Sequence, residues 1–167
     1  MRFDKLTTKF QQALGDSQSL ALAGDNAYIE PQHLLLAMLD DADSGIVSLL
    51  ARAGVNVSAL KGSLRDAVAR LPKVSGTGGE VTVSRDLTNL LNLADKAAMK
   101  RGDQFIASEL FLLAVAVHKG ELGRIANENG LSRKSLEAAI TAVRGGQGVD
   151  SPEAEGQREA LKKYTLD

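Results

Sequence analysis

The chain contains no cysteine and no tryptophan, only three prolines, and few aromatic residues of any kind, 4% of its 167 positions. The first absence excludes a disulfide framework and any thiolate metal site. Poverty in aromatics leaves Leu, Ile, Val and Ala to fill the core, and it argues against a sheet, because strands are enriched in aromatic and β-branched residues. An excess of one charge is missing too: Lys and Arg number 20 against 21 Asp and Glu, a formal net charge of −1. Nothing global therefore draws the chain to nucleic acid or to an anionic membrane. No apolar run approaches the roughly 18 residues that cross a bilayer. The start MRFDKLTTKF carries an acid and lacks the apolar stretch of a signal peptide. What remains, 44% apolar and 25% charged residues, has the composition of an ordinary soluble domain. The expectation is a cytoplasmic, all-α protein.

Catalytic signatures are absent as well. His33 and His118 fall at non-equivalent positions, and neither belongs to an HExxH phrase. No GxSxG, GxGxxG or GxxxxGK[ST] occurs, and GTGG (76–79) and GGQG (145–148) lack the lysine that a phosphate loop needs. The sequence supports no enzyme activity, no cofactor and no metal.

What is present is a repeat. The phrase YIEPQHLLLA (28–37) returns as FIASELFLLA (105–114). A shift of 77 residues brings Leu14 to Leu91, Leu22 to Met99, Ile29 to Ile106 and Leu34–Ala37 to Phe111–Ala114; Thr7 meets Ser84. After a one-residue slip in a surface turn, Gly54 meets Gly130, Leu60 meets Leu136 and Leu64 meets Ile140. Each half reads as four helices. In the first, Thr7 caps a helix that Gly24 and Asp25 end. Pro31 starts the second, a third spans about 44–53 and stops at Gly54, and a fourth follows Asn56 and is stopped by Pro72. The second half repeats this from Ser84 to Arg144, with Gly102, Gly130 and Gly145 as punctuation and Ser108 and Ser132 as caps. PKVSGTGGEVTV (72–83) between them is a Gly-rich loop.

A solenoid needs about three units to be stable, so two repeats imply a pseudo-twofold fold with one shared core. The expected organisation is a helical domain over 1–144, with repeat one at about 1–71, the loop at 72–83 and repeat two at about 84–144. Residues 145–157 have linker composition, and REALKKYTLD (158–167) reads as the start of a following segment.

Mismatches between the copies mark candidate binding residues. Leu93, Ala97 and Leu110 stand where repeat one has Asp16, Leu20 and His33. Leu93 and Ala97 lie on the flank of the stripe Leu87, Leu90, Leu91, Ala94, Ala98. These residues either pack between the halves or line an exposed apolar groove for unfolded segments. Thr7, Asp103 and Glu109 form a second set; each has a local explanation as an N-cap, a turn residue and a helix-start acid.

The phrases MRFDKLTTKFQQAL, IEPQHLL, RLPKVSGTGG, LADK, KRGDQFIASELFLLA, RGG (144–146) and EALKKYTLD together resemble the N-terminal domains of the ClpB family of AAA+ disaggregases. The resemblance runs the whole length, and its tail is similar to the linker into the first ATPase module. It implies a mobile, non-catalytic domain above a hexameric ATPase ring, itself monomeric when isolated. Such a domain binds apolar segments of unfolded or aggregated proteins and passes them to the pore, in cooperation with a DnaK-type chaperone. ATP would be bound only by modules outside this chain. On this resemblance the substrate-binding residues are Thr7, Leu93, Ala97, Asp103, Glu109 and Leu110, with Ala97 making the groove shallower than a larger side chain would. Asp103 and Glu109 beside the groove would favour basic segments. The related ClpC domains bind adaptors and phosphorylated arginine through a Thr-Glu-His phrase in each repeat. Here the phrases are Pro31-Gln32-His33 and Ser108-Glu109-Leu110, so that symmetric arrangement is not expected. The alternatives are a docking module for a folded adaptor and a domain that gates the pore.

Overall fold

The computed structural model describes residues 2–41, 43–75 and 80–156. The segment 158–167, expected to begin a following unit, lies outside the described residues, as does the whole GTGG phrase. After a 3-10 turn at Phe3–Lys5, repeat one folds as α1 (Thr8–Ala23), α2 (Pro31–Asp40), α3 (Gly45–Arg52) and α4 (Val57–Ala69). Repeat two gives α5 (Arg85–Arg101), α6 (Ser108–Ala116), α7 (Glu121–Glu128) and α8 (Arg133–Arg144). The expected all-α double repeat is what the chain forms.

Sequence punctuation sets these boundaries. The side chains of Thr7, Ser44, Asn56, Ser84 and Ser132 each accept a backbone N–H at a helix start, the capping pattern of short polar residues. Gly102 and Gly145 take positive φ at the ends of α5 and α8, where an L side chain would be strained. Ser108 departs from expectation. It is the first residue of α6, the N-cap position is Ala107, and no side chain of the helix caps it.

A feature absent from the sequence reading interlocks the repeats. Tyr28–Ile29 (β1) pairs in parallel with Thr82–Val83 (β2), Ile29 opposite Val83. The symmetry-related bridge joins Leu6 to Ile106. Each repeat's leading segment is thus paired with the other repeat's connection between its first two helices. The bonds match: Ser84 N–H donates to Ile29 O at 3.1 Å, and Thr7 N–H to Ile106 O at 3.0 Å. Two-residue strands escape detection by alternation, which needs four or more positions.

Packing follows the same pseudo-twofold. α1 packs on α2 and α5 on α6 within the repeats, while α3 meets α8 and α4 meets α7 across them. Phe10 and Phe111, both fully buried, meet edge-to-face with ring centroids 6.3 Å apart. Leu34, Leu35, Phe111 and Leu112 are all inaccessible and lie in one continuous core to which both repeats contribute.

The segment after α8 is a second departure. Its linker-like composition predicts a free chain, yet 147–155 lie against the domain. Val149 is buried, its carbonyl accepts from Gln104 N–H (2.8 Å) and Phe105 N–H (3.1 Å), and its own N–H donates to Asp103 Oδ1 (3.2 Å). Thr8 N–H donates to Pro152 O at 2.9 Å. One buried valine and a satisfied backbone dock a segment that no periodicity announces.

Candidate functional site

The six candidate residues separate into two places. Thr7, Asp103 and Glu109 are brought together, and all three are buried. The group that joins them is one the sequence reading missed: Arg144, from the last turn of α8, and Glu155, from the docked tail. Arg144 Nε donates to Glu109 Oε2 at 3.0 Å and Nη1 to Asp103 Oδ2 at 2.9 Å, with its side chain only 7% exposed. Burial pulls the Arg144 pKa down, but the charges of Glu109 and Asp103 outweigh it and hold the guanidinium above its ordinary value. Two buried carboxylates thus spend their charge on one buried cation.

Glu155 supplies the missing cap of α6. Its Oε1 accepts from Ser108 N–H at 3.0 Å and from Thr7 Oγ1–H at 2.7 Å. Burial, with the charge of Glu109 next, raises its pKa above the usual carboxylate range. The symmetry-related helix α2 is capped from within. Glu30 accepts the His33 N–H, and His33 Nδ1 accepts from Glu30 N–H at 2.9 Å. His33 Nε2 lies 2.9 Å from Asn26 Oδ1. Because Nδ1 accepts, Nε2 carries the proton and the ring is neutral. Desolvation lowers its pKa to about 4, which agrees with that tautomer.

Leu93 and Ala97 belong to the other place. With Leu113, Ala114 and Val117 they line an open groove of about 390 Å³ where α5, the end of α6 and the start of α8 converge. Leu93 is 43% exposed and Val117 48%; Ala97 is partly buried against the core. Leu110 is not part of it. It sits on α6 facing inward, with no exposed surface. Its equivalent, His33, is just as buried, so replacing polar by apolar there changed the core and not the surface. Asp103 and Glu109, expected beside the groove, do not line it. The rim is instead Lys100, Arg101, Arg133 and Glu137.

Val117 was findable by the test that picked Leu93. It stands where repeat one has Asp40, just as Leu93 stands where repeat one has Asp16. In repeat one Asp40 is ion-paired with Lys61 at 3.0 Å, and Lys61 is the counterpart of Glu137. The groove position is charged and bridged in one copy, apolar and open in the other. Among the described residues, no cluster of His, Asp and Glu could hold a metal ion, and no helix is long and apolar enough to cross a membrane.

An interlocked double repeat of four helices, with an open apolar groove lined by α5, α6 and α8 of the second copy, defines a two-repeat helical domain. The family description "Clp repeat (R) N-terminal domain" matches residues 5–129. This chain belongs to that family. It is 50% identical over all 167 residues to the chaperone protein ClpB of Vibrio cholerae, of which it covers 20%; the chain spans about a fifth of the length of the curated relatives it matches. The fold is that of the Hsp104 N-terminal domain from Candida albicans, with a TM-score of 0.78, 21% identity and coverage of 90% of this chain and 98% of that one. It is also that of the N-domain of ClpV from Vibrio cholerae, with a TM-score of 0.70, 22% identity and coverage of 91% and 89%.

Proposed function

We propose that this domain is the client-receiving module of a ClpB-type disaggregase, binding exposed apolar segments of misfolded proteins and releasing them to an ATPase ring. The observation that carries this reading is the groove itself: Leu93 and Val117 stand open to solvent on a helical surface. Exposed aliphatic groups clustered in a concavity mark an interaction site. Full burial of an aliphatic side chain contributes about 1.5–3 kcal/mol, and ordering a flexible client cancels much of that. Two or three such contacts therefore support only weak binding, with Kd of about 0.1–1 mM. Ala97 offers little area, which weakens it further. Weak, shape-tolerant binding suits a site that must hand its client on. Client release to the ring and cooperation with a DnaK-type partner are carried by the family relationship alone.

The test is titration of a permanently unfolded client into the chain and into the Leu93→Ser, Val117→Ser double variant, followed by fluorescence anisotropy. The expected result is saturable binding that falls about 5- to 20-fold in the variant, from two lost aliphatic contacts partly exposed to begin with. Equal affinity in both would overturn the groove. A saturable one-to-one complex with a single folded protein, and no response to unfolded chains, would establish adaptor docking instead.

A further inference from the structure

The rim of the groove has a sign, and it is the opposite of that expected from the sequence. Lys100, Arg101 and Arg133 stand around Leu93 and Val117. The acid among the lining residues, Glu137, is shared by two of them, 3.2 Å from Arg133 and 3.9 Å from Arg101. Lys100 is exposed and has no ion-pair partner among the described residues. The carboxylates of Asp103 and Glu109 cannot offset this charge, because Arg144 holds both inside the domain. The repeat makes the pattern specific. At the positions of Lys100, Arg101 and Arg133, repeat one has Ala23, Gly24 and Val57. The copy that opened an apolar groove is also the copy that gained three cations around it.

We infer that the groove selects client segments in which an aliphatic residue is flanked by acidic ones, the apolar side chain entering between Leu93 and Val117 and the carboxylates meeting Lys100 and Arg133. This rests on the client-binding reading above and adds the chemistry of the preferred client. Rim charges at an exposed site contribute modestly and are screened by salt, so the preference is a bias within weak binding. It also acts on encounter, because a rim of one sign steers oppositely charged segments.

The experiment uses the isotope-labelled full chain and three peptides with one aliphatic core, flanked by Glu, by Gln or by Lys. The expected order of affinity is Glu over Gln over Lys, with about 3- to 10-fold between the extremes at low salt. The difference should close at about 1 M salt, where the Debye length is about 3 Å. Lys100→Glu with Arg133→Glu, both at exposed positions, should reverse the order, Lys-flanked over Gln-flanked over Glu-flanked. Equal binding of all three, with amide shifts at Leu93 and Val117, would overturn the charge preference and keep the client-binding reading. Absence of binding by any peptide, or shifts away from the groove, would overturn both.

Discussion

Repeat one and repeat two share a fold, a core and a symmetry, but they close themselves in different ways. In the first, the α1–α2 corner is completed by groups of the repeat itself: Asn26, His33, and the side chain and backbone N–H of Glu30. In the second, the same corner holds Asp103 and Ala107 in place of Asn26 and Glu30, and it is completed from outside. Arg144 neutralises the acids and Glu155 of the tail caps α6. The surface differs in the same sense, Asp40 bridged to Lys61 on one copy and Val117 open on the other. Duplication preserved the buried apolar positions, whose loss costs several kcal/mol each, and left corners and flanks free to diverge. Repeat two took the groove and, with it, a dependence on the chain that follows.

The largest predicted effect breaks the second corner. Arg144→Ala removes the buried cation that Asp103 and Glu109 share and should cost about 3–5 kcal/mol in urea unfolding. Asp103→Asn with Glu109→Gln in that background should recover much of the loss. Repeat one's corner should respond to acid instead. The folded pKa of His33 is lowered to about 4 from an ordinary 6.5, so its contribution is complete above pH 6.5 and is lost as pH falls toward 4. That loss reaches up to about 3 kcal/mol, and His33→Gln should flatten the profile between those values.

Glu155 has the opposite sign. The native state holds its proton at pH values where the unfolded chain has released it, so stability drains as pH rises above about 4.5, the ordinary value. Glu155→Gln keeps an acceptor for Thr7 and Ser108 and should remove that slope. Glu155→Ala should cost about 1–2 kcal/mol as a lost cap, with amide exchange accelerated at 147–156 and at the start of α6 but not in α2. The smallest effect on stability comes from making the copies alike. Asp16→Leu with Asp40→Val removes the partly exposed ion pairs of Asp40 with Lys61 and Arg65, each worth about 1 kcal/mol or less, and it should create a second, weaker client site detectable by amide shifts in α1.

Much of this architecture was legible. The eight helices, the caps at Thr7 and Ser132, and the shared core followed from periodicity and internal alignment. What escaped was set by contacts between residues far apart in the chain. The parallel strand pair is two residues long, Arg144 reads locally as an ordinary helix-end cation, and Glu155 sits in a stretch with no apolar period. Mismatch between the repeats located Leu93 and would have located Val117, but it could not tell outward from inward. Leu110 is as mismatched as Leu93 and faces the core.

The central claim, that the open groove of repeat two receives unfolded segments, is tested most directly by amide-shift mapping with an unfolded client on the labelled chain. Perturbations should gather on the C-terminal half of α5, the end of α6 and the start of α8, around Leu93, Val117 and Arg133. Perturbations centred on repeat one, or on the buried cluster of Asp103, Glu109 and Arg144 with the groove silent, would contradict it.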